Sequence, residues 1–143
     1  MIMSIEEFHQ KIGELMLSCQ RIENDIKYMY AGMHIGDLAE NIEKIKNLNL
    51  GDVLALLQEL DNEDNNPYLS EEHYNSLNEI RRMRNYWAHK GYTDFIYEKD
   101  ALSSKSYQKQ CQRLLDDNNY LAQLSNIIEK VRLQMLRDYN RID

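Results

Sequence analysis

Apolar residues recur along the first quarter of the chain at Ile5, Phe8, Ile12, Leu15, Cys19, Ile22, Ile26, Met29 and Met33, in alternating steps of three and four. That spacing is the seam of a long helix packed at a shallow angle on its neighbours, and its other faces are charged. Ser4, followed three residues later by Glu7, predicts a capping box at its start, with Ile2 or Met3 placed to staple it. Met33-His34-Ile35-Gly36-Asp37 reads as a turn in which Gly36 ends the first helix and Asp37 with Glu40 opens a second. Leu38, Ile42, Ile45 and Leu48 carry the stripe of that second helix. Leu50-Gly51-Asp52 interrupts it, and Val53, Leu54, Leu56, Leu57 and Leu60 predict a short helix that is apolar nearly all round and therefore buried.

Residues 61–70 are polar, contain the single proline, and form the clearest loop; they read as too polar to join a core. The loop divides the chain into two helical hairpins rather than two domains. Ser70, with Glu71 and Glu72 behind it, opens a third long helix that carries Tyr74, Leu77, Ile80 and Trp87 and runs to Gly91. Residues 92–102 lose the helical period, and 93–97 fit either an extended segment or a short irregular helix. Ser103 or Ser104 begins the last helix, with Tyr107, Cys111, Leu114, Leu121, Leu124, Ile128, Val131 and Met135 in register. Asp116-Asp117-Asn118-Asn119 breaks that seam once, which implies a bend, a solvent-facing stretch, or acids that meet the arginines of the third helix. There is no internal repeat. The pattern predicts an all-α fold, an antiparallel up-and-down bundle of four main helices plus a short extra helix, with residues 1–143 as a single domain.

Composition agrees with this and narrows the chemistry. One proline, five glycines and seven methionines in 143 residues favour helix over sheet. A formal charge of −7 argues against a general nucleic-acid coat, which rests on phosphate neutralisation by Lys and Arg, so any such contact must be local. Residues 80–92 supply one: Arg81, Arg82, Arg84 and Lys90 stand there with no acid among them. Cys19 and Cys111 lack CxxC spacing and fall on apolar stripes, as reduced core cysteines of a cytoplasmic protein do. No apolar run approaches a membrane span, and the N-terminus from Met1 lacks the basic and apolar regions of a leader. Glu6 and His9 have one Glu-x-x-His spacing, but a di-iron site needs a second pair, so neither a metal nor a cofactor is expected.

The densest chemistry lies in Arg81-Arg82-Met83-Arg84-Asn85-Tyr86-Trp87-Ala88-His89-Lys90-Gly91-Tyr92. On a helix, Arg82, Asn85 and His89 share one stripe, whereas Arg84 sits about 140° from His89 and continues the apolar line of Leu77, Ile80 and Trp87. An arginine on a buried seam requires an anionic partner or ligand. Internal pairing with Glu23 or Asp117 is one solution; a bound phosphate is another. The simplest alternative is a solvated basic helix end, stopped at Gly91, with Lys90 favouring the helix dipole.

Arg84, the polar Asn85 directly after it, and His89 after four intervening residues resemble the signature of the HEPN superfamily. The resemblance covers most of the chain in architecture and about nine residues in motif. It implies a metal-independent endoribonuclease without cofactor, commonly a toxin or defence component, acting as a homodimer with two motifs facing each other. Cleavage of RNA by its own 2′-hydroxyl needs a base, an acid and positive charge on the phosphorane. Histidine titrates near neutrality, so His89 from two subunits would divide the proton work. Arg84 would hold the phosphate, Asn85 would orient histidine or substrate, and Arg81, Arg82, Tyr86 and Lys90 would contact the RNA. Some toxins of this group are similar in carrying a tyrosine two residues after the histidine, which a partner nucleotidyltransferase-like antitoxin modifies. Gly91 occupies that position here, and Tyr92, one further on, is the candidate modification site. The alternative function is a non-catalytic bundle that uses the same basic site to bind a nucleotide, RNA or a protein partner.

Overall fold

The structure, a computed structural model, describes residues 2–142. Met1, where the leaderless N-terminal reading starts, and Asp143, the last residue of the expected domain, lie outside the described residues. All regular structure among the described residues is helical: α1 (Ile5–Gly32), α2 (Leu38–Ile45), α3 (Leu50–Asp61), α4 (Glu71–His89), a single 3-10 turn (Ala101–Ser103) and α5 (Lys105–Asp138).

Side-chain caps explain why each helix starts where it does. Ser4, Asp37, Ser70 and Ser104 accept hydrogen bonds from the backbone N–H groups of Glu7, Glu40, His73 and Tyr107 at 3.1–3.2 Å. Each cap is worth about 1 kcal/mol. The box at Ser70 is closed by a histidine, His73, whose Nδ1 accepts from Ser70 N–H at 3.3 Å. Asn49 caps α3 by accepting from Asp52 N–H at 2.9 Å, so Leu50 and Gly51 belong inside that helix rather than to an interruption. The first helix ends at Gly32, four residues before the expected stop. Arg141 clamps the following turn, donating to Gly32 O at 3.1 Å and to the carbonyls of His34 and Gly36. Gly36 itself holds the turn at φ +109, where a side chain would be strained.

Three contacts fix the direction of the long helices. Tyr107 donates to Met3 O, Asn118 to Glu14, and Arg132 faces Asp25, so α1 and α5 run parallel. α2 returns alongside the end of α1, with Asn41 donating to Ala31 O at 3.2 Å and Lys27 to Lys46 O at 3.0 Å. α4 runs opposite to both long helices: its early Ser76 neighbours Tyr120 and Gln123, and its late Trp87 donates to Asp117 at 2.8 Å. The core between these helices is continuous from Met3 to Met135, and both cysteines lie inside it, unpaired.

Two polar stretches behave differently from their composition. Residues 61–70 do enter the core at both ends, since Asp61 is 2% and Leu69 1% exposed. Asp61 accepts from Tyr68 N–H, Leu69 N–H and the Tyr74 hydroxyl at 2.8, 3.1 and 2.6 Å, which satisfies the buried carboxylate and ties the loop to α4. α5 runs through residues 116–119 without a break: Asp116 accepts from Gln112, Asp117 from Trp87, Asn118 donates to Glu14, and Asn119 is exposed to solvent. Those acids meet a tryptophan and a helix neighbour, not the arginines of α4. In the stretch 92–102, Phe95 is buried and Asp100 takes a left-handed conformation at φ 50 before the 3-10 turn.

Asp25 is the second buried acid, and it lies beside Ile22 and Ile26 on the inner side of α1. Burial pushes its carboxyl above the ordinary value of 3.8, aided by Glu129 and opposed by Arg132 and Arg21. A raised folded value means that the group's contribution to stability is full below 3.8 and is lost as pH rises through the folded value. Asp25→Asn removes that loss. From about pH 4 upward, chemical denaturation should show a smaller decline in stability with pH for the variant than for the parent.

Candidate functional site

The end of α4 is positioned by Trp87. Its indole is buried, packs edge-on against Phe8 at 6.3 Å and Tyr86 at 5.1 Å, and is anchored to α5 through Asp117. Gly91 sits directly against it: a Cβ there would stand 2.9 Å from both the Trp87 carbonyl oxygen and the indole ring. The glycine serves this close approach, since only Gly36 among the described glycines has a positive φ. Gly91→Ala should cost about 1–3 kcal/mol through forced displacement of the helix end, read as a lower thermal midpoint.

Arg84 points inward to α1. One guanidinium nitrogen donates to Glu23 Oε2 at 3.0 Å, and the other oxygen of Glu23 lies 3.8 Å from Lys27. Of the two internal acids open to it, Glu23 is the one used, whereas Asp117 accepts from Trp87. The Arg84 side chain remains 33% exposed, which limits the pair to about 1 kcal/mol and leaves room for a second anion at the remaining N–H donors.

Asn85 and His89 lie on the exposed face of α4 with Arg81 and Arg82. Asn78, Arg81, Arg82 and Asn85 line an open depression of about 350 Å³. Arg82 pairs only loosely with Glu79, at 3.4 Å between two exposed side chains. Lys90 is exposed and closes the helix by donating its N–H to Tyr86 O at 2.7 Å. Arg84 leaves the helix about 140° from His89 and turns to α1, so one chain does not bring the two into a common pocket. The stripe of Arg82, Asn85 and His89 is therefore assembled as its spacing implies, whereas Arg84 stands beside it.

Tyr86 borders the stripe on the α5 side. Its hydroxyl donates to Asp94 and accepts from Gln110 Nε2 at 2.8 Å. Burial raises that hydroxyl, the Asp94 bond adds to the rise, and Gln110 and Arg113 oppose it. One ring face is covered by the Arg113 guanidinium, 3.5 Å from the centroid. Arg113 is half-exposed and adds a positive charge next to the stripe, which the reading of the sequence missed. Nothing local marks it; only the packing of α5 on α4 brings it there.

Tyr92 is half-buried, edge-on to Phe8 at 5.4 Å, and its hydroxyl meets His9 Nδ1 at 2.6 Å. Burial raises this hydroxyl as well. His9, the histidine of the single Glu-x-x-His spacing, thus holds the segment after the motif against α1. No group of three His, Cys, Asp or Glu among the described residues is placed to hold a metal ion, and no helix of the structure is long and apolar enough to cross a membrane. No protein-family model, curated protein or solved structure matches the chain.

Proposed function

We propose that the chain is a HEPN-type, metal-independent endoribonuclease that cleaves RNA by attack of the 2′-hydroxyl, at a site completed by a second copy. The observation that carries the reading is the exposed imidazole of His89 on one stripe with Asn85 and Arg82, in the basic patch of an otherwise acidic molecule. His89 is free of the core and open to a substrate. Arg84 has donors left for a phosphate oxygen beyond the one given to Glu23.

The divergence of Arg84 and His89 within one chain is the reason for a homodimer: a facing copy brings its own imidazole and guanidinium to the same phosphate. In that arrangement one His89 takes the 2′-proton, the other protonates the 5′-oxygen that leaves, and the guanidinium groups stabilise the phosphorane. Asn85 orients the imidazole, Arg81, Arg82 and Lys90 follow the strand, and Tyr86 with Arg113 forms its edge. A toxin or defence role in the cytoplasm, with a nucleotidyltransferase-like antitoxin acting on Tyr92, is the biological setting this reading favours. Incubation of purified protein with RNA in EDTA tests it, with the Arg84→Ala, His89→Ala double variant as the control.

The Arg84–Glu23 pair favours a second reading, a non-catalytic bundle in which Arg84 is structural and the exposed stripe binds RNA, a nucleotide or an acidic partner. On that reading the parent binds RNA without cutting it. Arg84→Met then keeps full stability, within about 1 kcal/mol, and full RNA affinity.

A further inference from the structure

Arg113 belongs to α5, yet its guanidinium carbon sits 3.5 Å above the ring centroid of Tyr86 and 5.9 Å from that of Trp87, both on α4. At that height the guanidinium lies nearly parallel to the Tyr86 ring, because an edge turned downward would bring its nitrogens within about 3 Å of the ring, inside van der Waals contact. One face of the planar cation is therefore covered. The other looks outward, and the side chain is 50% exposed.

The platform beneath it is fixed. The Tyr86 hydroxyl is held from two sides, by Asp94 and by Gln110, and Gln110 is itself buried and donates also to Gly91 O at 3.0 Å. The cation is not spent on a finished ion pair. Its partner among the described residues, Asp117, stands 4.0 Å from Nε, beyond hydrogen-bond reach, and the same carboxylate oxygen accepts from Trp87 at 2.8 Å. Tyr86 follows Arg82 by four residues and precedes His89 by three, so it is the helical neighbour of both and the open face adjoins the stripe. A lysine there would neutralise a phosphate as well as an arginine; what an arginine laid on a fixed ring adds is a flat surface at stacking height.

We infer that Arg113 is the base-stacking contact of the RNA site. An unpaired nucleobase, from the strand held on the stripe of Arg82 and His89, lies on the outer face of the guanidinium and extends the stack of Tyr86 and Arg113 by one layer. The inference rests on the RNA reading of the stripe, not on cleavage, and no bond is made or broken. It gives the site a preference for strands whose bases are free over duplexes, whose bases are already stacked on one another.

The test measures binding of a short labelled single-stranded RNA, and of the same ribose-phosphate strand without bases, to the full chain carrying His89→Ala, which leaves the strand uncut. The base-bearing strand should bind about tenfold more tightly. Arg113→Ala and Arg113→Lys should each abolish that preference, while Arg113→Lys keeps the salt dependence of affinity unchanged. The lysine variant retains the charge and the aliphatic stem, so its result stands even where the alanine variant disturbs packing on Tyr86. A preference for bases that survives in Arg113→Lys overturns the inference and leaves the RNA reading in place; a protein that binds neither strand overturns both.

Discussion

Replacing Arg84 and His89 together by alanine should reduce RNA cleavage in EDTA by about 10⁴-fold while leaving the fold intact. Proton transfer by a placed side chain is worth about 10²–10⁴ in rate, and loss of one donor to a developing oxyanion about 10²–10³. The two effects act in one step and do not multiply in full. The fold survives because His89 is exposed and Arg84 contributes only a partly exposed pair to Glu23. Single-turnover rates with a labelled oligonucleotide, alongside circular dichroism, separate lost chemistry from lost structure. Arg81→Ala with Arg82→Ala should act differently. Their loss weakens binding across sequences and reduces the salt dependence of affinity by about 0.7 log unit per phosphate contact removed, with the cleavage step little changed at saturation.

Trp87→Ala should be the most damaging single substitution to stability, costing about 3–5 kcal/mol. The indole is 1% exposed, touches Phe8 and Tyr86, and supplies the N–H that Asp117 accepts on α5. Truncation therefore opens a cavity and strands a partly buried carboxylate at once. Because Gly91 is fitted against the same ring, the loss also frees the turn that follows His89. Trp87→Phe keeps part of the volume but not the hydrogen bond and should cost less. Urea denaturation midpoints, compared at unchanged slope, give both values.

The helices were legible because their cause is local. The three–four seam of α1, and the serines and aspartate three residues ahead of an available N–H, specify helix and start point without reference to the rest of the chain. Where the cause is tertiary, the local pattern misleads or is silent. Asn49 as a cap was hidden by Gly51 two residues on, which reads as a breaker but sits in the first turn of α3. The end of α1 is set by Arg141, more than a hundred residues away in sequence. Asp61 looks like a loop residue and becomes a core residue because three donors converge on it.

The same division applies to the candidate site. The stripe of Arg82, Asn85 and His89 follows from helical periodicity and is present. Periodicity also placed Arg84 on the buried side, which called for an anionic partner; of the two internal acids offered, Glu23 and Asp117, it takes Glu23. Arg113 over Tyr86, His9 on Tyr92, and the burial of Asp25 come from packing between helices that no single segment encodes. Asp25 gives only a faint signal, an acid adjoining the apolar seam between Ile22 and Ile26.

The proposed reaction depends on two copies meeting through the end of α4, and cross-linking at Ala88 tests that most directly. Ala88 is exposed next to His89, and the native Cys19 and Cys111 are buried. An Ala88→Cys variant treated with a short thiol-reactive cross-linker should give a covalent dimer that an identically treated Gln134→Cys variant does not. A protein that sediments as a monomer, shows no cross-link at position 88 and still cleaves RNA contradicts the composite site.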